Sequence, residues 1–202
     1  IEDVSYRIED GRTTVTLDFE SDDALFVVFD APAARQSVTV PGKSFTTVAA
    51  VESPWTVEFQ EGRGAPESIT ISNLASLTES EDPGVRYFSG TAKYSATVKL
   101  PKVKGRIVID LGDVKNIAEV RLNGKDCGTV WKTPFVVDVT SAAKRGSNTL
   151  EIKVTNLWVN RIIGDLQPGA KPITYTPMAF YKAEDPLLPS GLLGPVVFKT
   201  EK

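Results

Sequence analysis

The sequence predicts an all-β protein: an antiparallel β-sandwich or jelly roll preceded by an extra N-terminal β segment. Three observations point there. Apolar and polar residues alternate with period two along most of the chain, the pattern of half-buried strands. The alternating runs are short and are separated by Gly-, Pro- and Asn-rich turns, as in sandwiches built from many strands. The long helical stretches that an α/β fold places between strands are missing.

Taken in order, Val4, Tyr6 and Ile8 alternate with polar neighbours, and Asp10-Gly11 forms a hairpin turn before Val15, Leu17 and Phe19 alternate in their turn. The continuous apolar run from Ala24 to Phe29, closed by Asp30-Ala31-Pro32, predicts a strand and its stop. Further strands are expected at 37–40, 47–51, 56–59, 69–72, 91–100, 106–111, 117–122, 135–139, 149–155 and 196–199. Asn123-Gly124 carries the strongest local signal, because both residues accept the positive φ of a tight hairpin. Thr140 or Ser141 can cap a single helical turn that Gly146 ends. The segment 165–194 holds prolines at 168, 172, 177, 186 and 189 with little alternation, and reads as a long surface excursion returning to a last strand.

A seam near Val51 to Trp55 separates a segment of residues 1–50 from a sandwich of residues 51–202. About fifty residues can hardly bury an independent core, so the first segment is expected to lie against the sandwich or to end a preceding domain. The chain opens on Ile1 in mid-pattern, as a processed protein or a piece of a longer chain would.

Composition removes whole classes of chemistry. Lys+Arg 23 against Asp+Glu 26 gives a net charge of −3, without the basic excess needed to neutralise a phosphate backbone, so no nucleic-acid partner is expected. With no histidine, Ser-His-Asp and Cys-His nucleophile systems, His-ligated zinc and imidazole acid–base chemistry are excluded. Cys127 is the single cysteine, so an internal disulfide and Cys-pair metal motifs are excluded too, and it reads as a small filler on the hairpin. No apolar run reaches the length of a spanning helix, and no membrane insertion is expected. Glycoside hydrolysis would need two carboxyl groups facing one another. Glu79, Glu81 and Asp82 read instead as a solvated turn closed by Pro83-Gly84, and Glu184-Asp185-Pro186 likewise. Asp22-Asp23 and Asp110 with Asp113 are the calcium candidates, but without EF-hand spacing they read as surface charge, and neither metal nor cofactor is expected.

Several strings carry a family resemblance: Arg86 to Tyr94, the hairpin Val120 to Trp131, Pro134-Phe135 with Asp138-Val139-Thr140, and Gly146 to Arg161. Together they resemble the jelly-roll sugar-binding module of family 2 glycoside hydrolases, a galactose-binding-like sandwich. Trp158 to Asp165 and the closing Leu187 to Pro195 are similar to the C-terminal part of Bacteroidetes glycoside hydrolases of the family 106 α-L-rhamnosidase type. Val27-Val28-Phe29 resembles the last strand of the domain preceding this module. The resemblance covers roughly Trp55 to the C-terminus. It implies a non-catalytic module with the catalytic carboxylates on a separate barrel domain of the same parent chain, and a periplasmic or extracellular location. No catalysis is then expected from this chain alone.

The stretch from Trp158 to Asp165 carries the candidate chemistry. A pyranose presents an apolar face that packs on an indole, and hydroxyls that need directional polar partners. Trp158, Asn160, Arg161 and Asp165 supply those types; Trp131 could share the loop face, and Tyr175 and Tyr181 could reach over from the excursion. These seven residues are the candidate glycan contacts. The structural alternative makes Trp158 core or interface packing with Arg161 held by Asp165. Two other functions stay open: a self-sufficient carbohydrate-binding module or lectin, and a purely structural domain docking on the barrel.

Overall fold

The computed structural model describes residues 3–52, 54–178 and 180–202. It divides into two compact units, Ile1–Ser44 and Phe45–Lys202. In the first, β1 (Tyr6–Glu9), β2 (Arg12–Val15) and β3 (Ser37–Val38) form an antiparallel sheet in the order β2-β1-β3. Asp10 and Gly11 turn the hairpin at φ 48° and 72°, as the Asp-Gly pair indicates. The expected strand from Ala24 to Phe29 does not form: these residues pair with no strand, and Phe26, Val28 and Phe29 are 94%, 70% and 74% exposed. A continuous apolar strand needs ladder partners and cover on both faces, and no described residue of this unit is buried.

The second unit contains β4 (Phe45–Ala50), β5 (Trp55–Phe59), β6 (Ser68–Ile71), a 3₁₀ turn (Leu77–Glu79), α1 (Pro83–Arg86), β7 (Thr91–Leu100), β8 (Ile107–Asp110), β9 (Asp113–Lys115), β10 (Ile117–Leu122), β11 (Lys125–Val130), β12 (Val136–Asp138), β13 (Gly146–Thr155), α2 (Val159–Asp165), β14 (Gly191–Gly194) and β15 (Val197–Glu201). β4 pairs with β15, so Phe45–Ala50 belongs to the sandwich and the division falls six residues earlier than the sequence seam. A six-stranded sheet, β11-β10-β13-β7-β5-β6, faces a four-stranded one, β12-β8-β15-β4, with β14-β9 as a short third ladder. Among the described residues every strand ladder is antiparallel, with one isolated parallel bridge between Gly112 and Gly194. No helix among the described residues is long and apolar enough to cross a membrane.

Alternation decides which side chains fill the sandwich. Tyr94 and Val98 of β7, Val120 and Leu122 of β10, and Leu150 and Ile152 of β13 point inward, where they join Ile109 and Phe198 of the opposite sheet in one core cluster. Fully burying each such aliphatic side chain contributes about 1.5–3 kcal/mol. Tyr94 lies edge-on to Trp55, with ring centroids 6.5 Å apart, and its hydroxyl accepts a hydrogen bond from the Leu192 amide at 3.3 Å. Burial pushes the Tyr94 phenol up to about 12, partly offset by the Leu192 bond.

The Asn-Gly hairpin forms as read, with Asn123 at φ 53° and Gly124 at φ 78°. Behind it sits Asn148, 1% exposed and satisfied on both ends of its amide. Its oxygen accepts from Asn123 Nδ2 at 2.8 Å and Lys144 N at 3.0 Å; its nitrogen donates to the Lys144 and Gly146 carbonyls at 2.8 Å each. Ahead of it, residues 140–142 make a single turn in which Ala142 N and Ala143 N both donate to the Val139 carbonyl at 2.9 Å, and the turn is not extended into a helix. Beyond that turn Asn148 holds the Lys144 and Gly146 carbonyls, and the Thr140 hydroxyl accepts from Ile107 N of the neighbouring strand at 2.9 Å.

Candidate functional site

The site is built where β13 runs out. Asn156 accepts from Gly90 N at 2.8 Å and donates to the Phe88 carbonyl at 2.9 Å and Ser190 Oγ at 2.6 Å. Ser89 Oγ donates to the Leu157 carbonyl at 2.8 Å and accepts from Arg161 N at 3.2 Å. These bonds fix the direction in which α2 leaves the sheet. Gly164 then lets the helix lie against Tyr87: a Cβ there would sit 2.5 Å from Tyr87 Cβ. Asn160, Arg161, Ile163 and Gly164 form the buried face, while Trp158 stays 52% exposed.

The three polar residues expected to meet sugar hydroxyls are spent inside the protein. Asn160 donates to the Leu188 carbonyl at 2.7 Å and accepts from Leu188 N at 2.9 Å. Asp165 Oδ2 accepts from Ile173 N, Thr174 N and Thr174 Oγ1 at 3.1, 2.8 and 2.6 Å. Its Oδ1 faces Arg161 Nε at 3.0 Å, both side chains at most 8% exposed, without lining up as a hydrogen bond. Burial works to raise the Asp165 carboxyl, but the Thr174 and Ile173 bonds and the Arg161 charge outweigh it and hold the group below its ordinary value. Arg161 also lies over the Tyr87 ring at 5.9 Å. Gln167 adds a third tie, donating to the Ala183 carbonyl at 2.8 Å. The polar side chains in and just after α2 therefore pin the excursion at 173–174, 183 and 188, and the structural alternative for Arg161 and Asp165 holds.

What remains open is aromatic. Trp158 and Tyr175 line one cleft of about 370 Å³ with Arg63, Ile162, Ile173 and Thr174. Tyr175 is 90% exposed. The Arg63 guanidinium sits over the Trp158 ring, 4.9 Å from its centroid. Arg63 was not foreseen: it lies far from Trp158 in sequence, and its one signal is the pair of flanking glycines, at φ 73° and 85°, which mark a tight loop. Trp131 is 70% exposed and leaves β11 at the same end of the sheet, since Val130 pairs with Ala118 and Ala118 with Val154. One strand, β10, lies between β11 and β13, which sets them ~10 Å apart at the usual strand spacing, and Trp131 does not line the cleft. Half-buried Tyr181 does not line it either. A smaller cavity of about 210 Å³ lies across the start of α2, lined by Asn116, Asn156, Asn160 and Ser190 among others.

The acidic candidates take structural parts. Asp82 caps α1 by accepting from Gly84 N at 2.7 Å, and Asp185 accepts from Lys182 N at 2.8 Å. Asp110 pairs with Lys199 at 2.6 Å and Asp113 with Lys115 at 2.7 Å. Burial chiefly raises the Cys127 thiol, which keeps it in the protonated, poorly nucleophilic form.

Residues 76–173, which run from the 3₁₀ turn to the cleft wall, match the model of the glycosyl hydrolase 2 galactose-binding domain-like family. Over this stretch the chain is similar to the galactose-binding-like domain of that family. A rhamnosidase from Novosphingobium sp. superposes on the whole chain with a TM-score of 0.94 at 47% identity, the match covering 100% of this chain and 19% of that one. A Formosa agariphila protein named "Putative beta-glucuronidase" is 40% identical over 185 residues, covering 75% of this chain and 16% of its own length. A beta-glucuronidase from an uncultured Clostridium sp., at 21% identity and a TM-score of 0.55, covers 80% of this chain and 30% of its own, and shows the shared fold. The chain thus spans 19% of the rhamnosidase and 16% of the Formosa protein. It is a galactose-binding-like β-sandwich module of the kind that glycoside hydrolases carry.

Proposed function

We propose that this chain is the non-catalytic carbohydrate-associated module of a secreted or periplasmic bacterial glycoside hydrolase of the α-L-rhamnosidase type, from a Bacteroidetes-like source. It supports the catalytic domain of the same parent chain and contacts the glycan. The observation that carries the reading is the cleft in which exposed Trp158 and Tyr175 stand together beside Arg63. Aromatic surface left open to solvent, on a wall whose backbone is pinned, suits stacking on a sugar ring at little ordering cost. At about 370 Å³ the cleft lies toward the small end of ligand sites, which run roughly 300–1,000 Å³, and suits one or two sugar units. Binding here needs no covalent step: the glycan is held by stacking and by hydrogen bonds from Arg63, while Thr174, whose amide and hydroxyl both donate to Asp165, can only accept. Asn160, Arg161 and Asp165 act by holding the cleft wall, and Trp131 and Tyr181 are left outside this contact.

The test is titration of the chain with a panel of plant and host glycans that includes rhamnosides, followed by tryptophan fluorescence. A saturable change that disappears in Trp158→Ala, with the circular dichroism spectrum retained, supports glycan contact. A flat response across the panel points to a scaffold that works only when docked to its catalytic domain.

A further inference from the structure

Resting on that reading of the cleft, we infer that the sugar it takes bears a carboxylate, a uronate residue whose acid group is received by Arg63. The inference comes from a local charge count. Two guanidinium groups meet at this wall. Arg63 lines the cleft, and Arg161 passes behind Gly64, where an added Cβ would lie 3.3 Å from Arg161 Nη1. Two carboxylates lie near this wall: Asp82, at the Gly64 loop, accepts from Gly84 N at 2.7 Å in capping α1, and Asp165 stands beside Arg161. The Asp165 Oδ1 is buried against Arg161 and its Oδ2 is filled by three donors from residues 173 and 174. Among the described residues no carboxylate forms an ion pair with Arg63, and no other charged side chain lines the cleft.

Arg63 is also held in place. Its stem runs over Gly90, where a Cβ would meet Arg63 Cγ at 3.4 Å, and Gly90 at φ 150° leaves that space open. Its head stacks on the Trp158 ring at 4.9 Å. A planar guanidinium fixed by stem and face keeps its N–H edge for an in-plane, two-point acceptor, and a carboxylate matches that fork. Trp158 stays 52% exposed with Arg63 over its ring, and Tyr175, 90% exposed, supplies further surface for the sugar. A neutral sugar would fill the apolar part of the cleft and leave this held charge without a counter-charge.

The experiment compares the full chain's affinity for methyl glucuronide and methyl galacturonide with that for methyl glucoside and methyl galactoside, and includes a sulfated galactoside. Calorimetry is run at low and moderate salt on the parent, Arg63→Gln, Arg63→Lys and Trp158→Ala proteins, with circular dichroism confirming the fold. The expected result is a uronide at least tenfold tighter than its neutral counterpart. That preference should shrink with salt, vanish in Arg63→Gln and survive in part in Arg63→Lys. Equal affinities, a preference that Arg63→Gln leaves intact, or binding of the sulfated sugar alone would overturn the acid-sugar inference and leave glycan contact standing. Binding of none of the probes, with all proteins folded, would count against the glycan reading itself and take this inference with it.

Discussion

The two ends of β13 use the same device to different ends. At its start, Asn148 spends its whole amide on Asn123 and on the turn at 144–146, closing a short corner against the core. At its far end, Asn156, Asn160 and Asp165 spend theirs on the 88–90 turn and on segments 173–174 and 188–190. Both ends satisfy buried backbone with side-chain amides or carboxylates. The first corner spans only a few residues. The second holds a long excursion at a few points, and the chain between those points stands clear of the sheet. What differs is the length of chain spanned, and that is what makes room for an open aromatic site.

Breaking the second corner should have the largest effect. Asp165→Ala removes the partner of a buried Arg161 and three acceptor bonds, and is expected to cost about 3–5 kcal/mol, read by urea denaturation. The same carboxyl, held low in the fold, contributes stability that is present above its ordinary value and lost as pH falls through its folded one. The gap between the parent protein and Asp165→Asn should therefore close in acid. Asn148→Ala tests the first corner. It leaves Lys144 and Gly146 backbone groups buried or reorganised, for about 2–4 kcal/mol, with little change in sugar binding if the corners are independent.

The core between the corners sharpens the comparison with alkali. Tyr94 titrates near 12 in the fold against 10.0 when unfolded, so its contribution is whole below pH 10 and is lost as pH rises through about 12. On the order of 2–3 kcal/mol is involved, and thermal unfolding between pH 9 and 12 should fall less steeply in Tyr94→Phe. Gly164→Ala puts a Cβ 2.5 Å from Tyr87 Cβ and should cost about 1–3 kcal/mol while lifting α2 and its cleft residues together. The smallest effect on stability belongs to exposed Trp158→Ala, within about 0.5 kcal/mol in denaturant, although it should remove the fluorescence response to glycan.

Much of the sandwich is legible in the sequence because alternation and Asn-Gly chemistry are local. Thr91–Leu100, Ile117–Leu122 and the hairpin at Asn123 stand where the pattern puts them. The short ladders β9 and β14 carry three and four residues, too few for a period to be read. α2 is hidden for a related reason: it is seven residues long and begins at Trp158 without a side-chain cap, so no start signal marks it. At the site, the stretch from Trp158 to Asp165 is found by residue type, but type cannot separate an exposed indole from an amide turned inward. Arg63 enters only through folding, because β5 and β7 lie side by side and bring the loop beyond β5 to the end of β13.

The three-point tether also bears on how such a module diversifies. Because Asp165, Gln167 and Asn160 grip main-chain atoms at 173–174, 183 and 188, apart from one bond to the Thr174 hydroxyl, the side chains between the ties carry little of the fold. Residues 175–178 and 180–182 can therefore change identity while the path of the wall stays where it is. A lineage bearing these anchors could exchange one sugar preference for another by replacing a few outward-facing side chains, with the sandwich beneath never asked to refold.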